Sequence, residues 1–326
     1  MARPEVSPGL KSLASGALEA WQLSDAKLEP ISATENITFR VDAAEGTFVL
    51  RIHRPGYHSL AELQSEHVWT RALLAAGLDV PEPLNTTDGA GYISLPYEDG
   101  PRNIGMLKWV DGELLGGLIH RQPERVTEHF RNLGGIAAEI HNQSASWIVP
   151  QGFLRHSFDV EGLLGDKPFW GPFWELPGLD AAQKSLVLRA RSVIAETLNQ
   201  YGQDSHTYSL IHADLHPQNV VVSEHGLHVI DFDDSGFGWH QYELAVALYY
   251  YRKLPGFAEI QAAIIEGYRA VRSLSDDAVS LLPLFLLVRT LVSLGWRHQR
   301  PEHGTDLTNE ITVACSEIED WLTTQK

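Results

Sequence analysis

Residues 210–234 read LIHADLHPQNVVVSEHGLHVIDFDD, and this stretch decides the architecture. Two apolar, β-branched runs, Val220 to Val222 and Leu227 to Ile230, flank the turn-forming Ser223 to Gly226, which predicts an antiparallel hairpin. With the turn centred near His225, Asn219 and Asp231 lie at equal distances from it and meet at the open end. A carboxylate and an amide there supply the oxygen donors that Mg2+ takes alongside substrate phosphates. Asp214, on the loop entering the hairpin, is expected beside that ion, where a carboxylate can orient a hydroxyl and accept its proton as a phosphoryl group moves. The plainer reading of all three residues is that Asp and Asn are common in turns and caps.

Upstream, the runs ITFRV and TFVLRI between Ile37 and Ile52 are separated by DAAEG and read as a second hairpin. Phe48, Leu50 and Ile52 alternate with Thr47, Val49 and Arg51, so the arginine projects from the face opposite the bulky apolar residues, toward a cleft. His58 to Ala76 carries Leu60, Leu63, Trp69, Leu73 and Leu74 at helical spacing, with Gly77 as its stop. Glu66 falls between Leu63 and Leu73 on that helix, where an unpaired acid is costly, so a buried partner is expected. Tyr92 to Leu95 and Met106 to Val110 are strand-like, and after the turn at Asp111-Gly112 helical patterns dominate. Helices are expected at Glu124–His141 and Asp180–Tyr201, with an aromatic, Pro/Gly-rich insert around Phe169 to Trp174 between them. They resume around Tyr242, Phe257, Asp276 and Leu307. The most apolar segment, Leu281 to Trp296, contains Pro283 and Arg289 and reads as a buried helix rather than a membrane span.

A chain of 326 residues exceeds the usual single-domain size, so two lobes are expected. Apolar residues at 44% and charged residues at 21% are those of an ordinary folded protein. A formal net charge of -17, from 25 basic and 42 acidic side chains, repels a phosphate backbone and argues against nucleic acid as a partner. Cys315 is the only cysteine, which excludes an internal disulfide and fits the cytoplasm. The first residues, MARPEVSPGLKSLASGALEAW, lack the unbroken apolar stretch of a signal peptide, and no membrane partner is expected.

His212-Ala-Asp214-Leu-His-Pro-Gln-Asn219 resembles the H-x-D-x-x-x-x-N catalytic loop of kinases, and Ile230-Asp231-Phe232-Asp233-Asp234 the metal-binding segment that follows it. With no D-F-G or A-P-E, the pair is more similar to the aminoglycoside phosphotransferase and choline kinase superfamily. VLRIHRPG, the SEH helix and DFDDSGFGWH look most like its homoserine kinase type II and stress-response kinase branch. The resemblance implies an α+β, protein-kinase-like fold: an N-terminal antiparallel sheet lobe (1–105), a hinge (106–112) and a helical catalytic and substrate-binding lobe (113–326). It implies ATP and Mg2+, with Asp214 as base, His212 bracing its loop, Asn219 and Asp231 on the metal, and Asp233 on a second metal or the substrate. It further implies that Thr34 to Thr38, with Asn36 among them, approach the phosphates. Arg51 contacts them with Glu66 as its helix partner, and Met106 to Trp109 form an adenine-facing hinge.

Two departures stand out. Arg51 occupies the position where most kinases have lysine, and the two cations differ in how they meet phosphate. In place of a glycine-rich loop the first hairpin offers only ATENIT. The expected reaction is phosphorylation of a small-molecule hydroxyl on an amino acid, amino alcohol or antibiotic. Phosphorylation of protein serine or threonine is the variant on the same fold. A different class, a metal-dependent hydrolase, would use His212, Asp214, His216 and Asp231 as zinc or manganese ligands. The sequence leaves the acceptor, the choice between ATP and GTP, and the oligomeric state open.

Overall fold

The computed structural model describes residues 4–324. In chain order its main elements are α1 (Pro8–Ala17), β1 (Lys27–Ala33), β2 (Ile37–Ala43), β3 (Gly46–Ile52), α2 (Leu60–Ala75), β4 (Pro83–Leu84), β5 (Tyr92–Leu95), β6 (Arg102–Lys108) and β7 (Glu113–Leu114). Then come α3 (Leu115–Arg121), α4 (Val126–Ser146), β8 (Ser157–Phe158), α5 (Val160–Leu164), α6 (Ala181–Tyr201), β9 (Tyr208–Ile211), β10 (Val220–Ser223), β11 (Gly226–Val229) and β12 (Gly236–Trp239). The chain ends in α7 (His240–Leu248), α8 (Phe257–Val271), α9 (Asp276–Ser280), α10 (Leu282–His298) and α11 (Thr308–Thr324). It divides into two compact units: one holds the chain up to Leu114, Val149–Arg155 and Val220–Asp233, and the other holds the remainder. A sheet unit and a helical unit make up the expected α+β, kinase-like architecture.

The sheet unit is built on an antiparallel sheet in the order β1-β2-β3-β6-β4, with β5 also on β6. The β2–β3 pairing runs from Ile37↔Ile52 to Ala43↔Gly46, so both strands reach further toward the turn than their apolar runs suggest. Phe39, Val41, Phe48, Leu50, Ile52, Ile104 and Met106 pack in one core with Ala14, Ala17, Leu18 and Trp21 of the N-terminal helical segment. Neither α1 nor β1 was legible in the sequence. Pro30 interrupts the β1 pattern, and the β1–β2 register shifts there, between Pro30 and Ser32, as an edge strand permits. Helix α2 starts on a capping box in which Ser59 and Glu62 exchange hydrogen bonds, and it stops at Gly77 in the left-handed region at φ +88°. A second, small sheet in the order β11-β10-β7 completes this unit. At Gly112, leading into β7, an added Cβ would lie 2.3 Å from the Val222 carbonyl oxygen of β10, so this turn requires glycine.

In the helical unit, α4 packs along α8, and α10 packs against both α7 and α11. Helix α6 begins on a capping box between Asp180 and Gln183, one residue inside the expected start. Helix α4 begins two residues later and ends five residues later than its expected span. All nine residues of α7 are buried. The segment Asp276–His298 is long and apolar enough by composition to cross a membrane, but 67% of its most apolar window is buried inside the protein. It is a core helix. Strands β9 and β12 pair antiparallel from Tyr208↔Trp239 to Ile211↔Gly236, which fixes the end of β9 immediately before His212.

Candidate active site

In the sheet unit, the β10–β11 register runs from Val220↔Val229 to Ser223↔Gly226. The turn is therefore centred between Glu224 and His225, half a residue from the expected centre. The chain leaves β11 through Ile230 into Asp231, a non-glycine residue in the left-handed region at φ +66°, a conformation that Asp tolerates better than most residues. The Asp231 side chain is 45% exposed.

Arg51 is the hub of the acids in this unit. Its guanidinium lies 3.5 Å from Glu66, 3.2 Å from Asp231 and 4.0 Å from Asp233. Burial works against the arginine's charge, but Asp231, Glu66 and Asp233 together raise its pKa. Glu66 is the expected helix partner. Burial pushes its carboxyl above the usual range against the pull of Arg51, and its Oε2 is buried without a hydrogen-bond partner.

Asp233 differs from Asp231. It is buried, with His53 Nδ1 at 3.1 Å from Oδ1 and Asn36 donating to Oδ2 at 3.0 Å. Burial alone would raise its pKa, but His53 and Arg51 hold it well below the carboxylate range. The Asn36 side-chain oxygen Oδ1 accepts the Arg54 backbone amide at 3.0 Å, so Asn36 ties the β1–β2 turn to Asp233. Arg155, from the segment that returns to this unit, donates to the Asp233 carbonyl oxygen.

Two of the expected hinge residues take different places. Met106 pairs with Leu50 and belongs to the core face of the sheet. Leu107 pairs with Val49, so Leu107 shares the Arg51 face. The Trp109 indole donates to Asp111 at 2.9 Å, and the Arg40 guanidinium lies over its ring at 4.7 Å.

In the helical unit, the loop after β9 is pinned from below. Glu243 on α7 accepts the backbone N–H groups of His212 at 2.8 Å and Ala213 at 2.7 Å, and Ala213 adopts φ +63°. Burial pushes Glu243 up to about 7, the largest effect on it, against the pull of His212. His212 is fully buried, and its Nδ1 accepts the Asp214 amide at 3.3 Å.

Every oxygen of the Asp214 carboxylate has a partner. Asn219 Nδ2 donates to Oδ2 at 2.8 Å, His216 Nε2 lies 3.3 Å from the same oxygen, and Arg289 on α10 donates to Oδ1 at 3.1 Å. Burial alone would raise this carboxyl, but His216, then Arg289 and His212, bring it down to about 2. Asp214 is thus an ionised acceptor near neutrality. Asn219 also donates to the Asp214 carbonyl at 3.0 Å, an orientation that commits its NH2 to the loop and points its amide oxygen elsewhere. Arg289 lies 5.0 Å from the Trp170 ring, and Tyr250 meets His216 edge-on at 5.8 Å.

Sequence reading missed Arg289 and Glu243. The signal was a charge set against an apolar run, Leu284 to Val288 before Arg289 and Leu244 to Leu248 after Glu243, which requires a buried partner. The hydrolase ligand set does not assemble: His212, Asp214 and His216 form no cluster of three ligand atoms among the described residues.

Residues 27–275 match the model of the phosphotransferase enzyme family. Among solved structures, the chain is similar to a microcompartment-associated aminopropanol kinase, with a TM-score of 0.85 and 32% identity over 96% of this chain and 98% of that one. It is 28% identical to a homoserine kinase of Allorhizobium ampelinum over 77% of this chain and 73% of that protein. It is 23% identical to the amicoumacin kinase of Bacillus subtilis over 82% of this chain and 79% of that protein.

Proposed function

Because the chain belongs to the phosphotransferase enzyme family and is a kinase of small-molecule hydroxyl groups, we propose that it moves the γ-phosphoryl group of Mg-ATP onto a small amino alcohol or hydroxy amino acid. The observation that carries the reading is the Asp214 carboxylate. It is held ionised on a loop whose backbone Glu243 and His212 fix, with Asn219 fastened to it. The acceptor class follows the relatives, one an aminopropanol kinase and another a homoserine kinase.

In this reading the acceptor hydroxyl hydrogen-bonds to Asp214. Its oxygen forms the new bond to the γ-phosphorus, the bond between that phosphorus and the β–γ bridging oxygen breaks, and the proton passes to the Asp214 carboxylate while ADP leaves. Arg51 supplies positive charge for phosphate oxygens, and Glu66 holds it. By donor chemistry alone, Mg2+ would be held by the Asn219 amide oxygen, left over from its contacts with Asp214, and by the half-exposed Asp231 carboxylate, each a hard oxygen ligand. The ion, when bound, neutralises phosphate charge. Asp233 has both oxygens engaged by His53 and Asn36, and its role here is to hold the Asp231 turn and Arg51 in place.

The experiment is acceptor-dependent ADP release from Mg-ATP, with aminopropanol, ethanolamine, homoserine, serine, threonine and hydroxylysine as acceptors and Asp214→Asn as control. Release with at least one acceptor, reduced about 10²-fold in the variant, is expected. ADP release that is independent of every acceptor, or full turnover in Asp214→Asn, rejects the reading.

A further inference from the structure

We infer that Arg289 is a positioning residue for phosphoryl transfer, one that sets the Asp214 carboxylate so that a single oxygen edge is available to the acceptor hydroxyl. The inference rests on the reading of Asp214 as base. A carboxylate on a loop can rotate about its last bond, and a base that does so offers the hydroxyl a moving target. Here one oxygen, Oδ2, is consumed by Asn219 at 2.8 Å and His216 at 3.3 Å, both on the same short loop as Asp214. The other, Oδ1, is reached from outside the loop by Arg289 at 3.1 Å. Two clamps of different origin hold the plane of the carboxylate, and only Arg289 ties that plane to the helical core.

Arg289 is suited to this because it is itself buried among packed groups. It sits on α10 between Val288 and Thr290, both buried, and is only 8% exposed. Its guanidinium lies 5.0 Å from the Trp170 ring. The buried Tyr242 and the more exposed Tyr250 also act on its charge, and with Asp214 they raise its pKa against the effect of burial. Placing a cation inside an apolar helix costs folding free energy, and here the arrangement is not even fully compensated. Arg289 Nε is buried and has no hydrogen-bond partner. Packing alone needs no charge at this position: apart from Thr290, the other buried residues of α10 are apolar or glycine. What the guanidinium does that those residues cannot is donate to Asp214. Lysine could reach Oδ1 with one donor but lacks the planar group that lies near Trp170, so it should perform the task partially.

The test compares Arg289→Gln and Arg289→Lys with the wild type, measuring kcat, KM for the acceptor, KM for ATP, and the melting temperature. Arg289→Gln is expected to lose about 10- to 100-fold in kcat, the scale of one charge-assisted hydrogen bond, with both KM values within about threefold. Arg289→Lys is expected to recover part of kcat. A kcat within about twofold of wild type in Arg289→Gln overturns the inference. So does a loss confined to the acceptor KM, which would make Arg289 a substrate contact, or a lysine variant no better than glutamine at equal melting temperature. If glutamine prevents folding, the lysine variant alone decides, since wild-type kcat there leaves nothing for the planar clamp to do. Asp214→Asn is run alongside: full turnover in that variant rejects the base itself, whatever Arg289 does.

Discussion

Glu243 Oε2 accepts the amide of Ala213 at 2.7 Å, and Ala213 is one of three non-glycine residues with positive φ among the described residues. The left-handed turn that presents Asp214 is therefore held by a carboxylate that is fully buried and pushed up to about 7. Because the folded-state pKa lies above the unfolded value of 4.5, the group's contribution to stability is fully present below 4.5. It is lost as pH rises through 7. Glu243→Gln removes the titration. The wild type should therefore lose ~3 kcal/mol relative to this variant between pH 4.5 and 8, the free-energy equivalent of the shift. Denaturant unfolding of both proteins across that range checks it, and parallel pH curves would exclude Glu243 as the titrating group.

Arg51 faces three acids, and this makes it more than a lysine equivalent. Arg51→Met should destabilise the protein by about 3–5 kcal/mol, because the buried Glu66 would lose its ion-pair partner and Asp233 one of the cationic groups around it. Arg51→Lys keeps the charge but loses the fork, and should raise KM for ATP by about tenfold with a smaller loss of stability. Melting curves and ATP kinetics separate the two effects. A lysine variant indistinguishable from wild type would show that the guanidinium's fork, which reaches Glu66 and Asp231 at once, is dispensable.

The two acids of the Asp231-Phe-Asp233 segment should fail in different ways. Asp231→Asn alters a half-exposed side chain, so the fold should survive while turnover and its dependence on Mg2+ collapse by about 10² or more. Asp233→Asn disturbs a buried carboxylate that His53, Asn36 and Arg51 surround, and should cost about 3–5 kcal/mol of stability. Thermal melting paired with a Mg2+ titration of activity gives the answer. Equal stability loss in both variants would contradict the division of roles.

The loop that carries Asp214 and both main hairpins were legible in the sequence because they depend on local information: β-branched runs, turn residues and fixed spacing. Of Asp231 and Asp233, two residues apart, the sequence offered the first as a metal ligand and left the second between a second metal and the substrate, with no sign of how differently they are buried. Their difference comes from His53 and Asn36, which are 180 and 197 residues away from Asp233. Arg289 and Glu243 each announced a missing partner without naming it, since the partners lie on a loop from another part of the chain. Strand β1 was missed for a simpler reason: Pro30 breaks the strand pattern, and an edge strand tolerates it.

Met106 shows the same limit at the hinge. Alternation along β3 correctly put Arg51 opposite Leu50, but carrying that parity across to β6 needs the register between the strands, which no local pattern contains. The register pairs Leu50 with Met106 and Val49 with Leu107. Met106 is consequently in the core with Phe39 and Leu50, and Leu107 shares the Arg51 face. Met106→Ala should cost about 2–5 kcal/mol of stability while leaving KM for ATP within about twofold of wild type. Leu107→Ala should show the reverse: a modest loss of stability and a clear rise in KM for ATP, because adenine would lose its apolar contact on that face. Kinetics on both variants at a temperature where both remain folded decide the matter. A raised ATP KM in Met106→Ala, with Leu107→Ala unaffected, would return the adenine contact to Met106 and reject the parity argument.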